Sequence, residues 1–126
     1  MSLQENKQFI QRYFAALNGK PKPPAVIDLY IADADLKQRI RVGEEGFPLY
    51  QHEVEEIIAE GDLVSVRGRM RGVHKGTFMG IPPTGKPVDV SIYITFRISG
   101  GKIVEHWMLT DNIAVMQQIG AIPVSA

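Results

Sequence analysis

The stretch "VDVSIYITFRIS", residues 88–99, decides the fold. Apolar side chains occupy every second position from Val88 to Ile98, and polar or aromatic side chains fill the positions between them. Such a period-two pattern predicts a strand with one buried face. Gly100-Gly101 follows and predicts a tight hairpin turn into a partner strand over residues 102–109. An antiparallel sheet is therefore the predicted centre of the fold.

Two more strands are predicted upstream of this hairpin. Residues 64–71 alternate apolar or small residues with polar ones, and residues 54–60 form the preceding strand, with Gly61-Asp62 as the turn between them. The segment from Asp33 to Arg41 predicts a further short polar strand. Residues 72–87, which are rich in glycine and proline, predict a long irregular loop.

Helices are predicted on both sides of the strands. Ser2 and Glu5 have the spacing of a capping box, and an apolar stripe follows them as far as Leu17. A shorter helix is predicted from Pro24 to about Ile31, and a last one from Asn112 to Ile119. Helices followed by an antiparallel meander and a short helix make an α+β pattern, and residues 1–126 read as a single domain.

The composition excludes several classes of function. The 14 Lys+Arg balance the 14 Asp+Glu, so nothing indicates a nucleic-acid partner, and the basic run Arg67, Arg69 and Arg71 reads as a solvated or ion-paired strand face. There is no cysteine, and the three histidines lack metal-ligand spacing, so no metal site is expected. No apolar stretch is long enough for a membrane span, and a cytoplasmic protein is expected.

The segment "EHWMLTDN", residues 105–112, carries the most reactive side chains. Asp111 has two interpretations: it acts as a general acid–base in a cavity, or it caps the last helix. His106 and Trp107 are adjacent on a strand and therefore face opposite sides of the sheet. Strand parity groups Trp107 with Asp111, and it leaves open whether His106 faces a cavity or a subunit interface.

Residues 62–123 resemble the C-terminal half of a known family. The shared motifs are "GDLVSVR", the loop "HKGTFMGIPPTGK", the hairpin "FRISGGKIVEHW" and the closing "DN…QIG". In their order and spacing they are similar to the SnoaL-like polyketide cyclase family of the nuclear transport factor 2-like superfamily. The resemblance implies a cone-shaped, curved antiparallel sheet packed against the N-terminal helices around an internal cavity, and a homodimer formed through the outer face of the sheet.

The same resemblance implies a set of site residues. Asp111 stands where family cyclases have their acid–base aspartate, and Arg97 stands near the position of an assisting histidine. Arg97 would then stabilise an enolate oxyanion; as an alternative, it forms a surface ion pair. His106 completes the candidate catalytic set. The candidate substrate-binding residues are Tyr93, Trp107, Phe78, Thr95 and Tyr13.

Two hypotheses of function follow from the sequence. In the first, a small hydrophobic or polycyclic ligand undergoes cofactor-independent cyclase, isomerase or hydrolase chemistry, with Asp111 moving the proton. In the second, the chain is a non-catalytic ligand-binding or dimerisation module of the same fold. The lack of a partner histidine for Asp111 favours the second hypothesis.

Overall fold

The structure is a computed structural model that describes residues 2–123. Its elements, in chain order, are α1 (Leu3–Leu17), α2 (Pro24–Tyr30), α3 (Ala34–Gly46), β1 (Gln51–Glu60), β2 (Leu63–Val73), β3 (Pro87–Ser99), β4 (Lys102–Thr110) and α4 (Asn112–Gln118). Over this described range, no helix is both long enough and apolar enough to cross a membrane. The predicted α+β pattern is confirmed.

The four strands form one antiparallel meander in the order β1-β2-β3-β4. Burial alternates along β3 as the sequence predicts, with Val88 and its alternate neighbours buried as far as Ile98. The turn at Gly100-Gly101 has φ values of 59° and 75°, which suit glycine. Register shifts place an extra residue in β1, between Val54 and Glu56, and in β4, opposite Arg97 and Ile98; they bend these two strands, so the sheet is curved.

Helices cover one face of the sheet, and the core lies between the two layers. Helix α1 begins with the predicted capping box: the Glu5 backbone N–H donates to Ser2 Oγ at 3.1 Å, and the Ser2 N–H donates to Glu5 Oε1 at 3.2 Å. The helical side chains buried in this core are Phe9, Ile10, Tyr13, Phe14, Leu17, Ile27, Leu36, Ile40 and Val115. We call the covered side the inner face and the exposed side the outer face.

The predicted strand from Asp33 to Arg41 is wrong, because this segment forms most of α3. The Asp33 carboxylate accepts hydrogen bonds from the backbone N–H groups of Asp35 and Leu36, at 2.9 and 3.3 Å, and so starts the helix. Leu36 and Ile40 are four residues apart, share one helical face and are buried. The polar residues between them lie on the solvent side of α3, where the sequence had suggested the exposed face of a strand.

The loop between β2 and β3 is anchored to the end of α3. The backbone N–H groups of Lys75 and Gly76 both donate to Gly46 O at 3.1 Å. A Cβ on Gly76 would lie 1.9 Å from Glu45 O, so this contact requires glycine. His74 is fully buried in the loop, and its Nδ1 accepts the Thr84 backbone N–H at 3.2 Å. The irregular connection predicted from sequence is therefore held in one defined conformation.

Candidate functional site

Four of the sequence-predicted site residues lie on the outer face of the sheet. They are Tyr93, Thr95, Arg97 and Trp107. The Tyr93 and Trp107 side chains are 52% and 51% exposed, and Thr95 Oγ1 lies 2.7 Å from Ser65 Oγ on the neighbouring strand. Their places follow from strand parity, because the alternate residues of β3 are the buried ones. These four residues share a surface that the helices do not cover.

Arg97 is engaged in ion pairs on this face. Its Nη1 lies 2.8 and 2.9 Å from the two carboxylate oxygens of Asp62, and its Nε lies 2.8 Å from Glu105 Oε1. The hydrogen bond to Asp62, followed by the charges of both carboxylates, raises the pKa of Arg97. This arrangement matches the surface ion pair that the sequence left open as an alternative.

Asp111 is not brought together with Arg97. The Asp111 N–H donates to Ser91 O at 3.2 Å, which fixes Asp111 near the start of β3. The rise of a strand, about 3.3 Å per residue, places Arg97 roughly 20 Å from Ser91 along β3. An oxyanion that forms beside Asp111 is therefore out of reach of the Arg97 guanidinium.

Asp111 itself caps α4 and lines an open cleft. Its Oδ1 accepts the Ala114 backbone N–H at 3.0 Å, and the residue is exposed. The cleft has a volume of about 430 Å³, and its lining also includes Tyr93, Leu109 and Ile113. The structure thus places two predicted site residues, Asp111 and Tyr93, in one cleft, which lies on the outer face and opens to solvent.

His106 lies on the inner face and is paired with a carboxylate. Its Nδ1 is 2.6 Å from Asp33 Oδ2, and the two side chains are only 5% and 12% exposed. Because Trp107 points outwards, the predicted parity split between the two neighbours is confirmed. The question of which side His106 faces is answered: it faces the helical layer.

The backbone holds Asp33 in place beside His106. The N–H groups of Ala32 and Asp33 both donate to Ile103 O, at 2.8 and 3.2 Å, so this segment follows the edge of β4. Burial alone would raise the pKa of the Asp33 carboxyl, but the hydrogen bonds from His106 and two backbone N–H groups outweigh it and lower that pKa. Asp33 is therefore an ionised partner for the imidazole at neutral pH.

Aromatic side chains pack close to this dyad. Phe96 is the cross-strand partner of His106 and is fully buried. The Tyr13 ring packs edge-on against Phe96, with 5.7 Å between the centroids, and its centroid lies 6.0 Å from that of Tyr30. Burial raises the pKa of the Tyr13 hydroxyl well above its ordinary value, so this residue remains a neutral phenol.

Phe78 lies apart from these groups. It belongs to the loop between β2 and β3, where its ring packs edge-on against Phe47 with 5.0 Å between the centroids. The predicted site residues therefore fall into separate groups: the outer face with its cleft, the inner-face dyad beside Tyr13, and this loop. Within residues 2–123, no three histidine or acidic side chains form a cluster suited to a metal ion.

Asp33 is the site residue that the sequence reasoning missed. An aspartate three residues before Leu36, with Asp35 in the first helical turn, is a helix-start signature. The assignment of a strand to this segment concealed it. The reach of Asp33 across to His106 depends on how the chain packs along β4, and no spacing rule contains that information.

Comparison with known proteins shows the family of this chain. The family model described as "SnoaL-like polyketide cyclase" matches residues 22–119, which is most of the chain. The chain belongs to the SnoaL-like polyketide cyclase family. The curved sheet covered by helices is the nuclear transport factor 2-like fold that the motifs implied. No curated protein matches the chain significantly.

Solved structures of this family are similar over nearly the whole chain. AclR from Streptomyces galilaeus, described as "a putative hydroxylase", has 29% identity and a TM-score of 0.85, with 99% of this chain and 87% of AclR covered. A "putative SnoaL-like polyketide cyclase" from Jannaschia sp. CCS1 has 29% identity and a TM-score of 0.80, with 96% and 95% covered. IdmH from Streptomyces antibioticus, "a putative polyketide cyclase", has 27% identity and a TM-score of 0.74, with 92% and 99% covered.

Proposed function

We propose that this SnoaL-like protein binds a small hydrophobic or polycyclic molecule and catalyses cofactor-independent proton transfer on it, as in an aldol-type cyclisation. His106 is the acid–base residue and Asp33 orients it. The observation that carries the proposal is the 2.6 Å contact between His106 Nδ1 and Asp33 Oδ2, between side chains that are almost buried. Membership in the family supports the class of ligand and reaction.

The geometry of the dyad suits general-base catalysis. An ionised Asp33 holds the proton of the imidazole on Nδ1, which leaves the lone pair of Nε2 to accept a proton from substrate. In an aldol cyclisation, Nε2 takes a proton from the carbon beside a carbonyl group. The resulting enolate carbon bonds to a second carbonyl carbon, and the new alkoxide takes the proton back from Nε2. No redox partner is required.

Asp111 is the competing acid–base group. Its Oδ1 is occupied by the Ala114 N–H, and the residue is exposed in an open cleft. An acid–base group gains most from a site that excludes water, because desolvation strengthens its electrostatic interactions. The buried dyad fulfils that condition better than Asp111 does, so we assign the proton transfer to His106.

A reporter reaction tests the assignment without knowledge of the natural substrate. With 5-nitrobenzisoxazole, a base removes the carbon-bound proton while the ring N–O bond breaks, which releases a coloured cyanophenolate. We expect wild-type protein to exceed free imidazole at equal concentration and His106→Gln to lose at least tenfold in rate. Asp111→Asn is the matched comparison and is expected to stay within twofold of the wild-type rate.

The opposite pattern, a large loss in Asp111→Asn with His106→Gln unaffected, would move the acid–base role to Asp111. Wild-type activity no higher than that of free imidazole would instead favour the non-catalytic binding module. That alternative is favoured by two observations: Asp111 caps a helix, and Arg97 is committed to ion pairs with Asp62 and Glu105. A thermal-shift screen with neutral polycyclic compounds then tests binding alone.

We further propose that two copies associate through their outer faces. The exposed fractions of Tyr93, Trp107, Leu109 and Ile113 are 52%, 51%, 72% and 67%. A cluster of exposed apolar side chains on one face is typical of a protein–protein contact. Ion pairs such as Arg69–Asp89 and Arg97–Glu105 lie on the same face and supply polar contacts. Sedimentation equilibrium tests this state directly.

A further inference from the structure

The dyad that we propose for proton transfer is closed to a large molecule. The side chains of His106 and Asp33 are only 5% and 12% exposed. Other residues line the open clefts at the start of α1, at the β1 edge and beside Asp111. A polycyclic molecule can therefore reach the imidazole only after an element of the inner layer moves.

Helix α2 covers β4, the strand of His106, with little buried surface. It lies against this strand on the inner side, and Ile27 is its buried residue, whereas α1 buries six residues along its length. It has seven residues and begins at Pro23 and Pro24 without a side-chain cap. Because so short a helix depends on packing for its stability, α2 opens more easily than α1.

Both ends of α2 are fixed to the rest of the chain. Before the helix, the Lys22 ammonium lies 2.8 Å from Glu44 Oε2. After it, the Asp33 N–H donates to Ile103 O at 3.2 Å. Both contacts lie outside residues 24–30, so α2 can swing outwards as a flap while the dyad stays intact.

Asp28 ties the middle of α2 to two neighbouring elements. Its Oδ1 lies 2.8 Å from Lys37 Nζ on α3. Its backbone carbonyl accepts a hydrogen bond from Lys102 Nζ, at the start of β4, also at 2.8 Å. The Asp28 side chain is 56% exposed, and an ion pair so open to water is weak. The two contacts thus hold α2 against its neighbours and are easily broken.

We infer that α2, residues 24–30, is a gate that swings away from β4 to admit a substrate to His106. The ion pair between Asp28 and Lys37 holds this gate shut. The inference rests on the proposed function, because it concerns access to the proposed base. Opening takes Ile27 out of the inner layer and uncovers the inner side of β4. Closure over a bound molecule then excludes water from the proton transfer.

Acylation of His106 measures access to the dyad without any turnover. Diethyl pyrocarbonate transfers an ethoxycarbonyl group to an unprotonated imidazole nitrogen, and mass spectrometry of a digest locates the group. The chain has no cysteine, so Asp28→Cys combined with Lys37→Cys supplies two unique thiols, which a short bis-methanethiosulfonate reagent joins. We expect this cross-link to slow the acylation of His106 at least tenfold. Cleavage with dithiothreitol, followed by removal of the reductant, should restore the rate.

A second cross-link controls for a general stiffening of the protein. Glu55→Cys combined with Arg67→Cys replaces an ion pair between β1 and β2, in which Arg67 Nη1 lies 3.4 Å from Glu55 Oε1. Joined by the same reagent, this variant is expected to acylate His106 at the wild-type rate. Equal slowing by the two cross-links would overturn the inference. So would a rate of acylation that the cross-link between positions 28 and 37 leaves unchanged.

Hydrogen exchange of the wild-type protein tests the gate without any substitution. The backbone N–H groups of Ile27 and Ile31 donate to Pro23 O and Ile27 O, and we expect them to exchange at least tenfold faster than those in the middle of α1. Equal protection of the two helices would contradict the gate. Full activity of His106→Gln in the reporter reaction would reject the proposed function, whereas acylation and exchange still decide whether α2 opens.

Discussion

One carboxylate serves two elements: Asp33 Oδ2 lies 2.6 Å from His106 Nδ1, while Asp33 Oδ1 accepts the first backbone N–H groups of α3. The start of a helix and an inward-facing residue of β4 are thereby fixed to the same side chain. Any change at Asp33 therefore affects both the stability of α3 and the orientation of the imidazole, and suitable substitutions separate these effects.

Asp33→Ser and Asp33→Ala provide that separation. Serine still caps a helix, whereas alanine does not, so we expect Asp33→Ala to lose about 1 kcal/mol more in the free energy of unfolding than Asp33→Ser. Both variants lose the hydrogen bond to His106, and this loss lowers the free energy of unfolding of each by a further ~1–2 kcal/mol. Urea unfolding measures the two differences. Equal stability of the two variants would contradict the capping role of Asp33.

The sheet was predictable because its evidence is local. Alternation along residues 88–98 and the Gly100-Gly101 turn define β3, its partner and the buried face without information from distant parts of the chain. The prediction of a strand over residues 33–41 was wrong because the apolar pattern is weak there. A helix with one narrow apolar stripe and a polar strand differ in few residues. The helix-start signature of Asp33 and Asp35, which distinguishes them, stands in the sequence, and the two backbone hydrogen bonds that Asp33 accepts confirm it in the structure.

The site was predictable only in part. Parity correctly set His106 and Trp107 on opposite faces. Family motifs drew attention to Asp111, and the helix cap that the residues alone suggested is present. The Asp33–His106 pair joins residues 73 positions apart, and it forms because residues 32 and 33 bond to the edge of β4. Sequence spacing carries no information on a contact of that kind.

We expect the buried imidazole of His52 to make the protein less stable in mild acid. Its pKa is 6.5 in the unfolded chain and about 4 in the folded protein, so between these values only the unfolded state binds the proton. Stability is therefore unaffected by His52 above pH 6.5 and falls as the pH drops to about 4. The difference in pKa corresponds to about 3 kcal/mol at most.

Urea unfolding at several pH values measures this effect. Other groups titrate in the same range, so the comparison is with His52→Gln, which retains a polar side chain but cannot be protonated. We expect the loss of stability between pH 6.5 and pH 4.5 to be smaller in the variant by about 2 kcal/mol. Parallel curves for the two proteins would show that His52 does not carry the effect.

The proposed dimer predicts a difference between two exposed leucines. Leu109 is 72% exposed on the outer face, and Leu29 is 66% exposed on α2. A glutamate at position 109 would place a charge inside the apolar part of the contact, so we expect Leu109→Glu to be monomeric by sedimentation equilibrium at concentrations where wild type is dimeric. Leu29→Glu is the matched control and should remain dimeric. Monomeric wild-type protein would rule out the proposed contact.

Lys22 and Glu44 form a buried ion pair, and we expect the loss of each member to change the free energy of unfolding by a different amount. The Lys22 ammonium, with only 1% of the side chain exposed, lies 2.8 Å from Glu44 Oε2 and donates to Tyr50 O at 3.0 Å. Glu44→Gln leaves a buried charge with neutral partners, whereas Lys22→Met removes that charge and leaves a carboxylate that is 23% exposed.

We therefore expect Glu44→Gln to lower the free energy of unfolding by about 2–4 kcal/mol and Lys22→Met to lower it by less. In the double variant, the second substitution should cost less than it does alone, because the buried charge is already gone. Urea unfolding of the four proteins gives the coupling. Additive losses would mean that the two charges do not interact and that Lys22 is held by its backbone carbonyl partners alone.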